Sequence, residues 1–139
     1  ARSWTDLLSD VIDDAVQDAG DGLPPTRADG SIAARHVRRA EEFMHANYGD
    51  IATIADVARE LGVSARTLEL SFRQVRDTSP AKVLAVLRQH EARRLLLSPD
   101  GPATVTEVCL ECGIGHPGRF AKAYRQLFDE TPARTLARR

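Results

Sequence analysis

An internal repeat constrains the fold more than any other feature of this sequence. Residues 53–63 (TIADVARELGV) match residues 104–114 (TVTEVCLECGI) at a constant offset of 51 residues. The match then continues at an offset of 52, because one residue has been added in the second copy. Leu68 pairs with Phe120, Phe72 with Tyr124, and Ser79-Pro80 with Thr131-Pro132. We infer that the chain contains two copies of one supersecondary unit.

The first helix of each copy has clear start and stop signals. A threonine is followed three residues later by an acid, the spacing of a capping box, in which each side chain satisfies a free backbone amide. A glycine then ends the helix, at a position where a left-handed backbone costs least. These residues are Thr53, Asp56 and Gly62 in the first copy and Thr104, Glu107 and Gly113 in the second.

The second helix of each copy follows the glycine turn. We expect Ser64 to cap this helix in the first copy, and His116, with Pro117 in the first turn, to cap it in the second. A helix-turn-helix of this kind can place its second helix in the major groove of DNA. One such corner is weak evidence, since many helical proteins contain them, but two copies are much stronger evidence.

The segments around the repeat also read as helices. Residues 31 to about 48 predict one helix, and Pro80 to Leu97 predict a long central helix of roughly 27 Å. A rod of that length, together with the widths of the flanking helices, can hold two recognition helices about 34 Å apart, in adjacent major grooves. We therefore predict an all-α fold of about seven helices, in which a long central helix joins two helix-turn-helix units and no strand occurs.

Composition agrees with a helical, water-soluble domain. Of 139 residues, 42% are hydrophobic but only 5% are aromatic, so the core is built mainly from aliphatic residues, which favours closely packed helices. No stretch is apolar enough for a membrane helix, and we predict a cytoplasmic protein with no membrane partner.

The formal net charge of −1 hides an uneven distribution. Residues 1–34 carry −5 and residues 35–139 carry +4. A solvated surface of mixed charge and a polyanion-binding face in the second segment are both consistent with this distribution.

A set of landmarks spread over residues 35–136 is shared with one known family. The landmarks are Ile54-Ala55-Asp56-Val57-Ala58, Leu61-Gly62-Val63-Ser64, Leu68, Phe72, Ser79-Pro80, Arg88, Ala92-Arg93, Val108, Gly113-Ile114, Phe120, Tyr124-Arg125, Phe128 and Pro132. With them, the segment resembles the DNA-binding domain of AraC/XylS-type bacterial transcription regulators. The resemblance implies an activator that binds double-stranded DNA beside RNA polymerase.

The sequence departs from the family pattern at three places. Ile114 stands where the family often has Phe, Asp129 where it often has Gly, and Thr135-Leu136 where it often has Tyr-Arg. Ile114 and Leu136 can still fill a core.

The resemblance also suggests how the chain is divided. Residues 31–139 are expected to form the double helix-turn-helix domain. The helical spacing of apolar residues between acids, and the Gly/Pro-rich stretch that follows, predict an acidic amphipathic helix and linker in residues 1–30. The acidic segment is expected to be the tail of a missing sensing or dimerisation domain, through which alone a small-molecule effector would act.

The expected DNA contacts follow from the exposed positions of each second helix and its neighbouring caps. We expect base contacts from Arg66, Thr67, Glu69, Leu70, Arg119 and Lys122, and phosphate contacts from Thr53, Ser64, Arg73, Thr104, His116 and Arg125. Arg66 with Glu69 can also be read as an ordinary surface ion pair, and His116 as a plain cap or solvated residue. Pro117 and Gly118 leave the second helix poor in base-reading groups, so we expect it to position more than it specifies.

Other chemistries are weakly supported. Cys109 and Cys112 form a C-x-x-C string, but Cys109 aligns with the small residue Ala58 and no second ligand pair for zinc is present. We predict no enzyme activity, no cofactor and no metal. The competing hypotheses are a helical module that docks an acidic protein partner and a thiol-dependent enzyme or redox switch.

Overall fold

The computed structural model describes residues 27–139, with side chains from Ser31 onward. Seven helices and no strand occur in this part of the chain. They are α1 (Arg27–Asn47), α2 (Ile54–Leu61), α3 (Ala65–Arg76), α4 (Pro80–Leu97), α5 (Val105–Glu111), α6 (Pro117–Phe128) and α7 (Pro132–Ala137). The all-α prediction and the bounds of the central helix are confirmed.

Two details of the predicted helix set differ. The acidic helix and linker were expected in residues 1–30, and residues 1–26 of that segment lie outside the described residues. Helix α1 begins at Arg27 rather than at about Ser31. Because glycine has a weak helix propensity, Gly30 placed the predicted start of the helix after it, about four residues later than the observed start. The six-residue helix α7 was not predicted, because it is too short to show a hydrophobic period.

The first compact unit contains the described residues 27–46 and 53–84. The capping box of α2 is present, with Asp56 N donating to Thr53 Oγ1 at 3.3 Å and Thr53 N donating to Asp56 Oδ2 at 3.0 Å. Gly62 then has φ 72°, and Ser64 Oγ caps α3 by accepting from Thr67 N at 3.0 Å. The core of this unit is aliphatic with one ring, and its most buried members are Val37, Ala40, Met44, Val57, Leu68 and Phe72.

One buried ion pair joins α1 to α3. Arg76 donates from Nε and Nη2 to the two carboxylate oxygens of Glu41, at 2.8 and 3.0 Å. Glu41 is only 2% exposed, so this bidentate pair supplies the countercharge that a buried carboxylate requires.

The second unit contains residues 47–52 and 85–139. Its capping box joins Thr104 and Glu107, and Gly113 has φ 71°. Its core cluster consists of Ala92, Leu96, Val108, Cys109, Cys112, Phe120 and Tyr124. Ile114 and Leu136 pack against this cluster, as expected from their apolar character.

The remaining family departures have local explanations. Asp129 adopts φ 62°, a left-handed conformation in which glycine is favoured, and Asp77 adopts φ 53° at the equivalent position of the first copy. Thr135 is fully buried, and its Oγ1 lies 2.7 Å from the Tyr124 hydroxyl and donates to Glu130 Oε1 at 2.7 Å. Hydrogen bonds from Thr135 and Arg138 hold the pKa of the Glu130 carboxyl below its usual value.

The two turn glycines predict unequal costs of substitution. Gly62→Ala adds only backbone strain, about 1 to 2 kcal/mol, because nothing lies within 4 Å of the new Cβ. Gly113→Ala adds the same strain and places Cβ 2.7 Å from the Gly49 carbonyl oxygen, so we expect a larger loss. Urea unfolding measures both, with Gly115→Ala, which has open space and no positive φ, as the control. Equal losses at Gly62 and Gly113 would show that the close approach to Gly49 does not contribute.

The partly buried imidazole of His90 leads us to expect that the stability of the chain depends on pH. Burial, with the nearby charge of Arg93, lowers the pKa of His90 below 6.5, whereas Glu91 opposes this shift. Its ring packs edge-on against Phe128 with centroids 5.2 Å apart. The unfolded chain therefore binds a proton near pH 6.5 that the folded chain does not, and the free energy of unfolding falls as pH drops below that value.

The measurement is urea unfolding at pH 7.5 and 5.5. His90→Phe keeps a ring against Phe128 and cannot titrate, so it should flatten this pH dependence relative to the parent chain. His116→Gln, at an exposed position, should leave the dependence unchanged. A slope equal to that of the parent in His90→Phe would contradict the assignment.

Candidate nucleic-acid interface

The inner and outer faces of α3 are cleanly separated. Leu68 and Phe72 are fully buried in the first unit, as predicted. Arg66, Glu69 and Arg73 are exposed, and Leu70 is 56% exposed although it is apolar. The exposed side chains of the helix thus include two cations, one acid and one aliphatic side chain that is more than half exposed.

Arg66 and Glu69 do not pair with each other. Within the described part of the chain, neither side chain forms an ion pair or a side-chain hydrogen bond. Arg76, on the same helix, is instead held by Glu41. The structure therefore does not show the ordinary surface ion pair that was the alternative interpretation of Arg66 and Glu69.

The predicted phosphate contacts at the helix starts are already engaged in capping. Ser64 Oγ donates to Thr67 Oγ1 at 2.9 Å, and Thr67 is only partly exposed. Thr53 and Thr104 each accept a hydrogen bond from a backbone amide through the hydroxyl oxygen. Bonds from the Thr53 hydroxyl and backbone amide lower the pKa of the Asp56 carboxyl and keep it ionised.

The outer face of α6 carries three cations. Phe120 and Tyr124 face inward with 5% and 0% exposure, whereas Arg119, Lys122 and Arg125 are exposed. Lys122 and Arg125 line one shallow depression, together with Gln126 and Thr131. The sequence analysis missed these last two residues, although Gln126 stands one helical turn after Lys122.

The prediction that His116 caps α6 with its side chain is wrong. His116 occupies the N-cap position, but no side-chain hydrogen bond is formed there. Its ψ is 83°, whereas Thr53, Ser64, Thr104 and Thr131 cap with ψ between 154 and 160°. The exposed imidazole is instead placed with Arg119 beside a cavity.

The two cysteines belong to the core of the second unit. Cys109 is 2% exposed and Cys112 is fully buried. Burial raises the pKa of Cys109, and burial with nearby Glu91 raises the pKa of Cys112 to about 12. Since the thiolate is the reactive form, this site does not have the low-pKa, accessible cysteine that a redox function requires.

The sequence predicted that no segment forms a membrane-spanning helix. No helix within residues 27–139 combines the length and apolar character needed to cross a membrane.

Comparison with known sequences gives a consistent family. A family model described as a helix-turn-helix domain matches residues 57–138. A probable thc operon regulatory protein of Rhodococcus erythropolis is 39% identical over 102 residues, which cover 72% of this chain and 30% of that protein. The transcriptional regulator ExsA of Pseudomonas aeruginosa is 30% identical over 104 residues, covering 75% of this chain and 37% of that protein. The chain thus spans about a third of the length of these relatives.

Solved structures agree. A probable AraC family transcriptional regulator from Rhodopseudomonas palustris superimposes with a TM-score of 0.68 at 36% identity, covering 75% of this chain and 96% of that one. The DNA-binding domain of AdpA, solved in complex with a target DNA, gives a TM-score of 0.58 at 27% identity, covering 76% of this chain and 89% of that one. With two capped helix-turn-helix units and these matches, the chain belongs to the AraC family of helix-turn-helix, DNA-binding transcription regulators.

Proposed function

We propose that this chain binds specific sequences of double-stranded DNA, with α3 and α6 each lying in a major groove. The observation that carries the proposal is the exposed, unpaired set of side chains on α3, directly after a capped helix and a left-handed glycine turn. The likeness to a DNA-binding domain solved on its target DNA supports it.

The two helices are assigned different tasks. On α3, Arg66 would donate bidentately to guanine O6 and N7, Glu69 would accept from cytosine N4, and Leu70 would contact a thymine methyl group. Thr67 is partly exposed, and its short side chain would make a base contact with a shorter reach than those of Arg66 and Glu69. Together these groups offer the donor, acceptor and apolar contacts that distinguish base pairs.

On α6 the first two residues, Pro117 and Gly118, carry no hydrogen-bonding side chain. Arg119 and Lys122 would reach the nearby base edges, while His116 and Arg125 would contact phosphates. Arg73 would make the corresponding phosphate contact from α3, together with Thr53, Ser64 and Thr104 near the helix starts. The second unit therefore positions the chain on the duplex more than it selects the sequence.

The wider function is proposed from the family. We infer that the chain is not an enzyme and acts in the cytoplasm, beside RNA polymerase, as part of a longer regulator that receives its effector through another domain. Docking to an acidic protein is the second candidate, favoured only by the basic charge of residues 35–139. Binding that shows the same affinity for all DNA sequences and is competed by an acidic protein would favour that candidate.

Arg66→Ala should cost roughly 1 to 3 kcal/mol of binding and relax the preference at one base pair. The test is a fluorescence titration against a site selected from randomised DNA and against every single-base variant of that site. Arg35→Ala, on the side of α1 opposite its buried residues, removes the same charge and should leave the preference intact. Uniform weakening across all variants of the site would reassign Arg66 to a phosphate.

Lys122→Ala should lower the salt dependence of binding. A cation that reaches a base edge in the groove also displaces counterions from the adjacent phosphates, so its loss reduces the slope of log K against log salt by about one unit. Affinities at four or more salt concentrations give this slope, and Arg35→Ala again serves as the charge-matched control. A slope like that of the parent chain would remove Lys122 from the interface.

A further inference from the structure

The second unit contains a cavity that the DNA-binding function does not explain. It has a volume of about 240 Å³ and lies between α4, the turn after Gly113 and α6. Its walls are predominantly apolar and include Ala85, Ile114, Phe120 and Ala123. Apolar concave sites with a few polar groups are the usual form of a small-molecule site, and this volume is below the ~300 Å³ at which drug-sized sites begin.

Arg88 brings a cation without a countercharge to this cavity. Its guanidinium is partly buried and donates to two neutral acceptors, the Tyr48 carbonyl at 3.0 Å from Nε and the Ile51 carbonyl at 2.6 Å from Nη2. No ion pair among the described residues includes Arg88. Burial accordingly lowers the pKa of its guanidinium. Charges withdrawn from water are normally paired in proteins, so an anion in the cavity would meet a cation that has no countercharge among the described residues.

Gln89 supplies a second unsatisfied group. Its side chain lines the same cavity and is 7% exposed, and its Oε1 has no hydrogen-bond partner among the described residues. Because no hydrogen-bond donor in this part of the chain holds the amide oxygen, the side-chain amide can rotate and point either its oxygen or its Nε2 donor toward a bound molecule. At the rim, the exposed side chains of His116 and Arg119 add positive or donor character.

We propose that this cavity binds a small organic carboxylate with a compact apolar body. The carboxylate pairs with the guanidinium groups of Arg88 and Arg119 and accepts from the Gln89 amide, and the body packs against Ile114 and Phe120. An inorganic anion would leave the apolar walls uncovered, and a neutral apolar molecule would leave Arg88 without its countercharge. The combination selects a molecule that has both parts.

Occupancy of the cavity is coupled to DNA binding, a consequence that rests on the proposed function. His116 and Arg119 line the cavity and are also proposed DNA contacts. A ligand that engages either side chain changes its availability to DNA, and the coupling is reciprocal. The double helix-turn-helix domain then carries an effector site of its own.

The probe is sodium cyclohexanecarboxylate, added to the ¹⁵N-labelled full chain without DNA. We expect saturable shifts of the amides of Gly113, Ile114, Gly115 and Phe120. Cyclohexanemethanol, which lacks the charge, and acetate, which lacks the apolar body, should each bind about tenfold more weakly or worse. Dimethyl phosphate, a mimic of the DNA backbone, should also bind more weakly.

Matched variants locate the site. Ala85→Leu places a larger side chain in the wall of the cavity and should weaken the probe about tenfold, whereas Ala81→Leu, at an exposed position one turn earlier on α4, should not change its affinity. Arg119→Gln should weaken the carboxylate but not the alcohol. Both substituted positions, Ala85 and Arg119, are exposed, so folding is expected to survive and is checked by circular dichroism.

Several outcomes overturn the proposal. Non-saturable shifts, or shifts spread equally to Arg66 and Arg73, would leave an adventitious anion only. Equal affinity for the alcohol would show an apolar site that does not recognise the carboxylate. Tighter binding of dimethyl phosphate would make the cavity a seat for the DNA backbone. Probe binding is measured without DNA, so a chain that binds the probe but no specific DNA refutes the proposed function alone, and the reverse result refutes the cavity alone.

Discussion

The left-handed turn between the paired helices is the constraint on which each unit depends. Gly62 and Gly113 adopt nearly the same φ, 72° and 71°. The residue after each glycine donates its N–H back into the preceding helix, Val63 to the Ala58 carbonyl at 3.0 Å and Ile114 to the Cys109 carbonyl at 2.8 Å. This closure satisfies a carbonyl at the end of the first helix and fixes the direction in which the next helix begins. The backbone of the turn therefore sets which face of α3 or α6 points outward, whatever side chains that face carries.

In the second unit, Arg88 supports this turn from the other side. It holds the carbonyls of Tyr48 and Ile51, and its Nη2 would lie 3.1 Å from a Cβ at Gly113. One guanidinium thus organises the segment after α1 and limits the size of the turn residue. The resemblance marked Arg88 as a landmark, but its task became clear only from the contacts, since its acceptors are backbone carbonyls that no sequence motif displays.

The sequence predicted best where the chemistry is local. Thr53 with Asp56, Thr104 with Glu107 and the two glycines act within a few residues, so a short motif contains all the atoms involved. The inward faces were predictable because Leu68 and Phe120 recur at helical spacing. His116 failed because capping depends on the backbone angle ψ, which the residue type does not set. The cavity beside Gln89 could not be predicted because its walls come from three segments that are separated in the sequence.

The candidate interface was predictable as a set of exposed positions. Exposure of Arg66, Lys122 and Arg125 follows from removing the core positions of each helix. The free state of Arg66 and Glu69 could not be predicted, because i,i+3 spacing permits an ion pair without requiring it. Gln126 and Thr131 share a depression with Lys122 through the fold of α6 and the residue that precedes α7.

The position of the cysteines gives the chain a built-in reporter of partial opening. Both cysteines of the sequence, Cys109 and Cys112, lie in the core of the second unit, and the first unit has none. Their thiols are shielded in the native state, so an alkylating reagent modifies them only when this core opens. The rate of native-state alkylation therefore measures the local unfolding of one helix-turn-helix half, without a label and without signal from the other half.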